Sequence, residues 1–412
     1  MNVVYNIFIR LLIFGMKVFA VFHAKTKKGV EGRKQSMNIV KTAFSASDKI
    51  IWMHAASLGE YEQGLPVLEK LKEKFPSHKI LVTFFSPSGY ENVIKKKNIA
   101  DAICYLPFDT KTQIKDFISC FHAELFFTVK YDYWYNLFQE LKNNKVKIFV
   151  ISALFYESQS FFASYGKWFV KQLQKNVDWF FHQTQHSYLL AKSLGLQQSS
   201  VTGDTRFDRV KQLRNQDHHI AFIKDFISGD KTLVFGSSWQ TEEKIAQLIS
   251  EKNENIKIII APHDLKRVNI LKNIFPDALL YSECKNTQIG KPLNTQILII
   301  DSIGLLSKLY SYADVAVVGG GFHNTGLHNI LEAAAFGVPV IFGNHYRKNP
   351  EADDLIKADG GRSFEHENQA AEYILDLFNN EEILKEMSAN AENFVLEKPD
   401  SSALIIKKMM SF

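Results

Sequence analysis

The chain has 412 residues, 46% of them hydrophobic and 23% charged. That composition excludes a disordered chain, and the length suits two domains better than one. A formal net charge of +5, with the lysines scattered, excludes an obvious nucleic-acid binder, and three cysteines (Cys104, Cys120, Cys284) fit neither a zinc site nor a disulfide framework.

The first element is the apolar stretch Val3 to Ala24, interrupted by Arg10 and Lys17. At about 100° per residue, Asn2, Asn6, Arg10 and Lys17 fall on one side and Ile, Leu, Phe and Val cover the rest. That pattern predicts a membrane-associated helix lying in the interface, ahead of a helix packed on the protein itself and of a spanning helix. A cleaved signal peptide fits poorly, because no basic residue precedes the run. The basic cluster Lys25, Lys27, Lys28, Arg33 and Lys34 follows and predicts that the rest stays on the cytoplasmic face.

From Lys49, short apolar runs alternate with amphipathic stretches. Strands are expected at 50–55, 79–85, 124–129 and 145–152, with a helix between the first two carrying Leu65, Leu68, Leu71 and Phe75. A second series is expected at 232–238, 255–262, 295–301, 313–321 and 338–343. Strand–helix–strand order implies parallel sheets. The expected architecture is α/β, with two Rossmann-like domains facing a cleft. The expected division is 1–34 for the membrane helix and basic segment, 35–215 for the N-terminal domain and 216–412 for the C-terminal domain, whose last helix is expected to pack back on the N-terminal domain.

Ligands in such sheets bind beyond the carboxyl ends of the strands, so the loops there carry the chemistry. His54-Ala-Ala-Ser57-Leu-Gly59-Glu60 follows a strand and opens a helix. Glu60 is either the third residue of a capping box begun by Ser57 or a carboxylate able to take a proton from a hydroxyl. Gly319 to Glu332 runs from a strand through three glycines to a helix opening near Asn329, whose free N–H groups suit a phosphate, with Glu332 near enough for a ribose. Ser237 and the pair Pro262-His263 also follow strands, where a turn is the commoner role. No metal-binding pair or P-loop is present, and no cofactor is expected.

These loops together resemble the 3-deoxy-D-manno-octulosonic acid (Kdo) transferase family, whose members have the GT-B glycosyltransferase fold. The resemblance is carried by IWMHAASLGE (51–60), GKWFVKQL (166–173), VTGDTRFD (201–208), GSSWQTEE (236–243), VVGGGFHNTGLHNILEAAAFGVPVIFGNH (317–345) and the early AKTKKGVEGRK. It implies transfer of Kdo from CMP-Kdo to lipid IVA in lipopolysaccharide synthesis at the inner membrane, inverting and without a metal. By the same resemblance Glu60 is the general base and Asp132 a second acidic residue on the acceptor side. Pro262, His263, Ile303, Gly304, Asn329, Ile330, Leu331 and Glu332 would contact CMP, and Arg206 and Ser237 would bind an anion. The chain departs from the family pattern at Lys130, His263, Leu305 and Leu327, and 151–162 lacks the usual arginine. The other readings kept open are a GT-B transferase using another nucleotide sugar and a catalytically silent scaffold of the same fold.

Overall fold

Valine, isoleucine and phenylalanine crowd the strand segments without alternation, the pattern of strands covered on both faces. The computed structural model describes residues 2–284, 295–324, 326–347 and 349–412. Contacts divide the chain into two units: Met1–Arg209 with Pro399–Phe412, and Val210–Lys398.

In the first unit, β1 (Lys49–Ala55), β2 (Lys79–Phe84), β3 (Ala102–Tyr105), β4 (His122–Val129), β5 (Lys147–Ala153), β6 (Trp179–His182) and β7 (Ser199–Val201) form one sheet in the order β3-β2-β1-β4-β5-β6-β7. Every neighbouring pair is parallel. Successive side chains of β1 take opposite faces. Ile50 and Trp52 enter a core with Phe117, Phe121 and Phe126, while Ile51 and Met53 enter another with Leu68, Val82 and Phe149. The helix Leu58–Lys74 covers the second face with Leu65, Leu68 and Leu71. The return segment adds the helix Ser401–Met409, whose Ile405, Ile406 and Met409 complete that core. Asp208 fixes its start by accepting the Ser401 and Ser402 amides at 3.2 and 2.6 Å.

The second unit repeats the plan with β8 (Lys231–Ser238), β9 (Ile256–Pro262), β10 (Leu279–Leu280), β11 (Ile297–Ile299), β12 (Val315–Val318), β13 (Val340–Gly343) and β14 (Gly361–Phe364). Their order is β10-β11-β9-β8-β12-β13-β14, again parallel throughout. Phe235, Ile258 and Ile260 pack against Ile245, Ile249, Ile374 and Phe378 of the helices Gln240–Lys252 and Glu367–Asn379.

The N-terminal helix, Asn2–Phe22, is long and apolar enough to cross a membrane. It has a protein side as well as a free side. Tyr5 Oη donates to Asp109 Oδ2 at 2.6 Å, Asn136 Nδ2 donates to Asn6 Oδ1 at 3.0 Å, and Ile9 is buried. Asn6 therefore faces the first unit, where the sequence reading had set it with Arg10 and Lys17. The opposite arc, including Val4, Ile7, Phe8, Leu11, Phe14 and Val18, is exposed.

Candidate functional site

Each sheet has a central place where its winding reverses: between β1 and β4 in the first unit, and between β8 and β12 in the second. In an open parallel sheet, the loops leaving two such strands diverge to opposite faces and open a crevice at their carboxyl ends.

At the first reversal, β1 ends in His54 and Ala55, and β4 runs into Lys130 and Asp132. Lys130 holds a left-handed backbone (φ 61°), which turns the chain sharply out of the strand. Its Nζ stands 3.8 Å from Glu60 Oε1, and both side chains keep partial contact with solvent. Ser57 donates its hydroxyl to the other carboxylate oxygen of Glu60. Ser57 is the residue before the helix, yet it makes no side-chain bond to the helix amides. Glu60 is thus held by a hydroxyl and a lysine rather than spent on capping.

Asp132 Oδ2 stands 2.6 Å from Nε2 of the fully buried His54, in ion-pair rather than aligned hydrogen-bond geometry. His54 Nδ1 lies 2.9 Å from Thr83 Oγ1, which accepts the Trp52 indole N–H at 2.8 Å. His54 Nδ1 also lies 3.1 Å from the Thr83 carbonyl oxygen, so Thr83 holds the ring with two oxygens. The buried imidazole therefore orients a carboxylate in the loop that also carries Lys130. Burial raises the Tyr131 hydroxyl above its usual range, with Tyr156, Glu60 and Asp132 adding to the effect.

At the second reversal, four adjacent strand ends contribute: β11, β9, β8 and β12. Trp239, just after β8, stacks on His263 after β9, with centroids 4.5 Å apart and planes at 18°. His323 meets the same indole edge-on at 4.7 Å, and His263 approaches His328 at 4.8 Å. Burial pulls the His328 imidazole down to about 4, helped by His263 and His323, and His323 is lowered for the same reason, with His345 and His263 adding. Glu242, fully buried, accepts the amides of Trp239 (3.0 Å) and Gly320 (2.9 Å), tying the β8 loop to the β12 loop. Burial raises its carboxyl against those two bonds.

Ser237 holds a left-handed backbone (φ 53°), and a Cβ on Gly319 would stand 2.0 Å from its carbonyl oxygen. Only glycine lets the β8 and β12 loops approach so closely. Asn329 accepts the Leu331 amide at 3.2 Å and donates to Glu332 at 3.1 Å. The helix expected there is a single turn, Leu331–Ala334. Ile330 and Leu331 are fully buried, so of this turn Asn329 and Glu332 keep contact with solvent. Ile303 is 77% exposed, an unusual setting for isoleucine, beside Gly304 (φ 93°), where an added Cβ would stand in open space. Thr325, in the same loop motif, lies outside the described residues.

Glu60 and Asp132 thus gather at one reversal. Ser237, Pro262, His263, Ile303, Gly304 and Asn329–Glu332 gather at the strand ends of the other. Arg206 joins neither group: its guanidinium pairs with Asp204 at 2.6 Å, and Asp204 also takes Gln63 Nε2 at 2.7 Å. Asp204 is buried, which raises its carboxyl, but the Arg206 charge and these bonds hold it below the usual range. Sequence reasoning assigned nothing to His54, Trp239, Glu242 or His323. Apart from the Trp239–Glu242 pair at capping-box spacing, their partners come from other strands and loops, which no spacing along the chain signals.

Two parallel, doubly wound units with furnished reversals define the GT-B-like class of folds. A solved UDP-N-acetylglucosamine 2-epimerase from Neisseria meningitidis superimposes with a TM-score of 0.61 at 16% identity, covering 88% of this chain and 100% of that one. More narrowly, residues 29–209 match the family model described as 3-deoxy-D-manno-octulosonic-acid transferase. A 3-deoxy-D-manno-octulosonic acid transferase of Aquifex aeolicus is 25% identical over 355 residues, covering 84% of this chain and 92% of that protein. A bifunctional glycosyltransferase/methyltransferase of Fusobacterium nucleatum is 29% identical over 313 residues, 72% of this chain but 48% of that protein.

Proposed function

We propose that the chain transfers Kdo from CMP-Kdo to lipid IVA, with inversion at the anomeric carbon. The observation that carries the reading is Glu60: a carboxylate at a topological reversal, held by Ser57 and Lys130 and left out of helix capping. The family match of residues 29–209 supplies the substrate class.

In this reading Glu60 takes the proton of the acceptor hydroxyl while that oxygen forms a bond to the anomeric carbon. The bond from that carbon to the CMP phosphate oxygen breaks, and CMP leaves with the electron pair. CMP is a good leaving group, so the protein's task is orientation, one proton and stabilisation of phosphate charge. Lys130 stands beside Glu60 on the acceptor side, and Asp132, oriented by His54, positions the acceptor. On the second unit the loop that opens the turn at Asn329 receives the phosphate. Glu332 addresses the ribose, and the open shelf of Ile303, Gly304, Pro262 and His263 receives the base. The reading calls on no metal.

The exposed apolar arc of Asn2–Phe22 attaches the protein to the cytoplasmic face of the inner membrane, where a lipid acceptor is found. Deleting residues 1–24 is expected to abolish pelleting with liposomes.

Turnover is tested with CMP-Kdo and lipid IVA, products read by mass spectrometry. Glu60→Gln is expected to lower it by about 10²–10⁴-fold while titration calorimetry still detects CMP binding. Near-normal turnover in that variant removes the proposed base, and tighter binding of UDP than of CMP moves the donor to another nucleotide sugar.

A further inference from the structure

A second recess lies in the first unit, lined by none of the residues gathered at its strand reversal. It has a volume of about 300 Å³ and lies beside the N-terminal helix. Its walls are Val30, Met37, Pro107 and Phe108, and three cations, Lys17, Arg33 and Lys34, line it with Gln113. No carboxylate lines it.

Arg33 is the informative member. It is only 7% exposed, set among the rings of Phe85, Tyr105 and Phe108 at 4.7–5.4 Å. Two of its nitrogens donate to the carbonyls of Gly29 and Phe85, each at 2.7 Å, which pins the basic segment to the end of β2. Its Nε has no partner. Burial lowers the guanidinium to about 10, so it stays charged at neutral pH. A buried cation without a counter-ion is costly, and an anion entering the recess would relieve that cost.

The other charges nearby do not satisfy it. Lys17 and Lys34 are exposed and form no ion pair among the described residues. Glu31, one turn before Lys34, is exposed and outside the recess. Asp109, two residues beyond Pro107, is committed to Tyr5, Asn136 and Leu137. Lys28 pairs with Glu91 at 2.8 Å.

We propose that this recess binds the phosphate headgroup of an anionic membrane lipid, with the first carbons of the lipid against Val30, Met37 and Phe108. The occupant is amphiphilic because the recess is: apolar walls under a cationic rim. It is membrane-borne because Lys17 stands on the helix whose free arc, with Phe14 and Val18, is uncovered and apolar. The site uses neither Glu60 nor any nucleotide contact, so it stands or falls separately from the sugar-transfer reading.

The test uses the full chain in a non-ionic detergent, titrated calorimetrically with dibutyryl phosphatidic acid, a water-soluble anionic lipid. Lys17→Ala/Lys34→Ala, both at exposed positions, is expected to weaken binding by roughly tenfold or more. Lys25→Ala/Lys27→Ala, which removes the same charge outside the recess, is expected to leave it within about twofold. Equal losses in the two double variants reduce the effect to diffuse charge and overturn the site. So does equal binding of inorganic phosphate, which marks a simple anion site, or of dibutyryl phosphatidylcholine, which marks an apolar groove. Absence of phosphatidic acid binding overturns it outright.

Discussion

Asp109 shows how one buried carboxylate organises its surroundings. It accepts from Tyr5 Oη and from the amides of Asn136 and Leu137, and burial still raises it to about 6. Tyr5→Phe removes the hydroxyl that also accepts the Tyr135 amide at 3.2 Å. The expected cost is about 1–3 kcal/mol, seen as a lower urea midpoint for loss of near-ultraviolet signal. An unchanged midpoint would mean that the N-terminal helix is not held by this contact. His182 is a second residue with a measurable signature. It is fully buried, with Nδ1 2.9 Å from Ser187 Oγ, and burial lowers it to about 4. Its folded value lies below the unfolded one near 6.5, so its contribution to stability is complete above pH 6.5 and is lost as pH falls toward 4. The difference in melting temperature between the natural chain and His182→Gln should therefore be largest above pH 6.5 and shrink toward pH 4. A difference constant with pH would contradict a neutral buried imidazole.

At the scale of elements, close approach between loops is the controlling fact. A Cβ on Gly343 would stand 2.1 Å from the Gly321 carbonyl carbon, as one on Gly319 would meet the Ser237 carbonyl. Neither neighbour is a flexible side chain, so Gly343→Ala is expected to destabilise the second unit by about 2 kcal/mol or more and to lower its thermal midpoint. Here the limits of sequence reading become clear. The glycines at 319–321 were legible as a turn, but the reason for Gly319 lies in β8 and that for Gly321 in β13. The long strands β1, β4, β5, β8 and β9 were legible because they are continuous apolar runs. The two- to four-residue strands β3, β6, β7, β10 and β14 were not, whereas the equally short β11, β12 and β13 lie in longer apolar runs. Glu60 was legible as a candidate through its place after β1. Its choice between capping and chemistry was not, because Lys130 arrives from β4. The Trp239–His263–His323 stack depends on β9, β8 and β12 being neighbours, a fact of topology rather than spacing.

For the whole molecule, the exposed arc of Asn2–Phe22 sets how the protein must be handled. Phe8→Glu/Leu11→Glu places charge in that arc without touching Tyr5, Asn6 or Ile9. The variant is expected to stay in the supernatant when vesicles are pelleted while keeping the natural circular dichroism spectrum. Co-sedimentation like the natural chain would shift attachment to another surface.

The first unit is written in two pieces, since Pro399–Phe412 returns to it. On the ribosome, everything from Val210 to Lys398 is made before Ile405, Ile406 and Met409 can cover Leu68 and Phe149. At about 5–20 residues per second, that apolar face waits on the order of ten seconds or longer. The second unit, complete in one run of sequence, can close first. The front half, though translated first, is thus the last to complete its core.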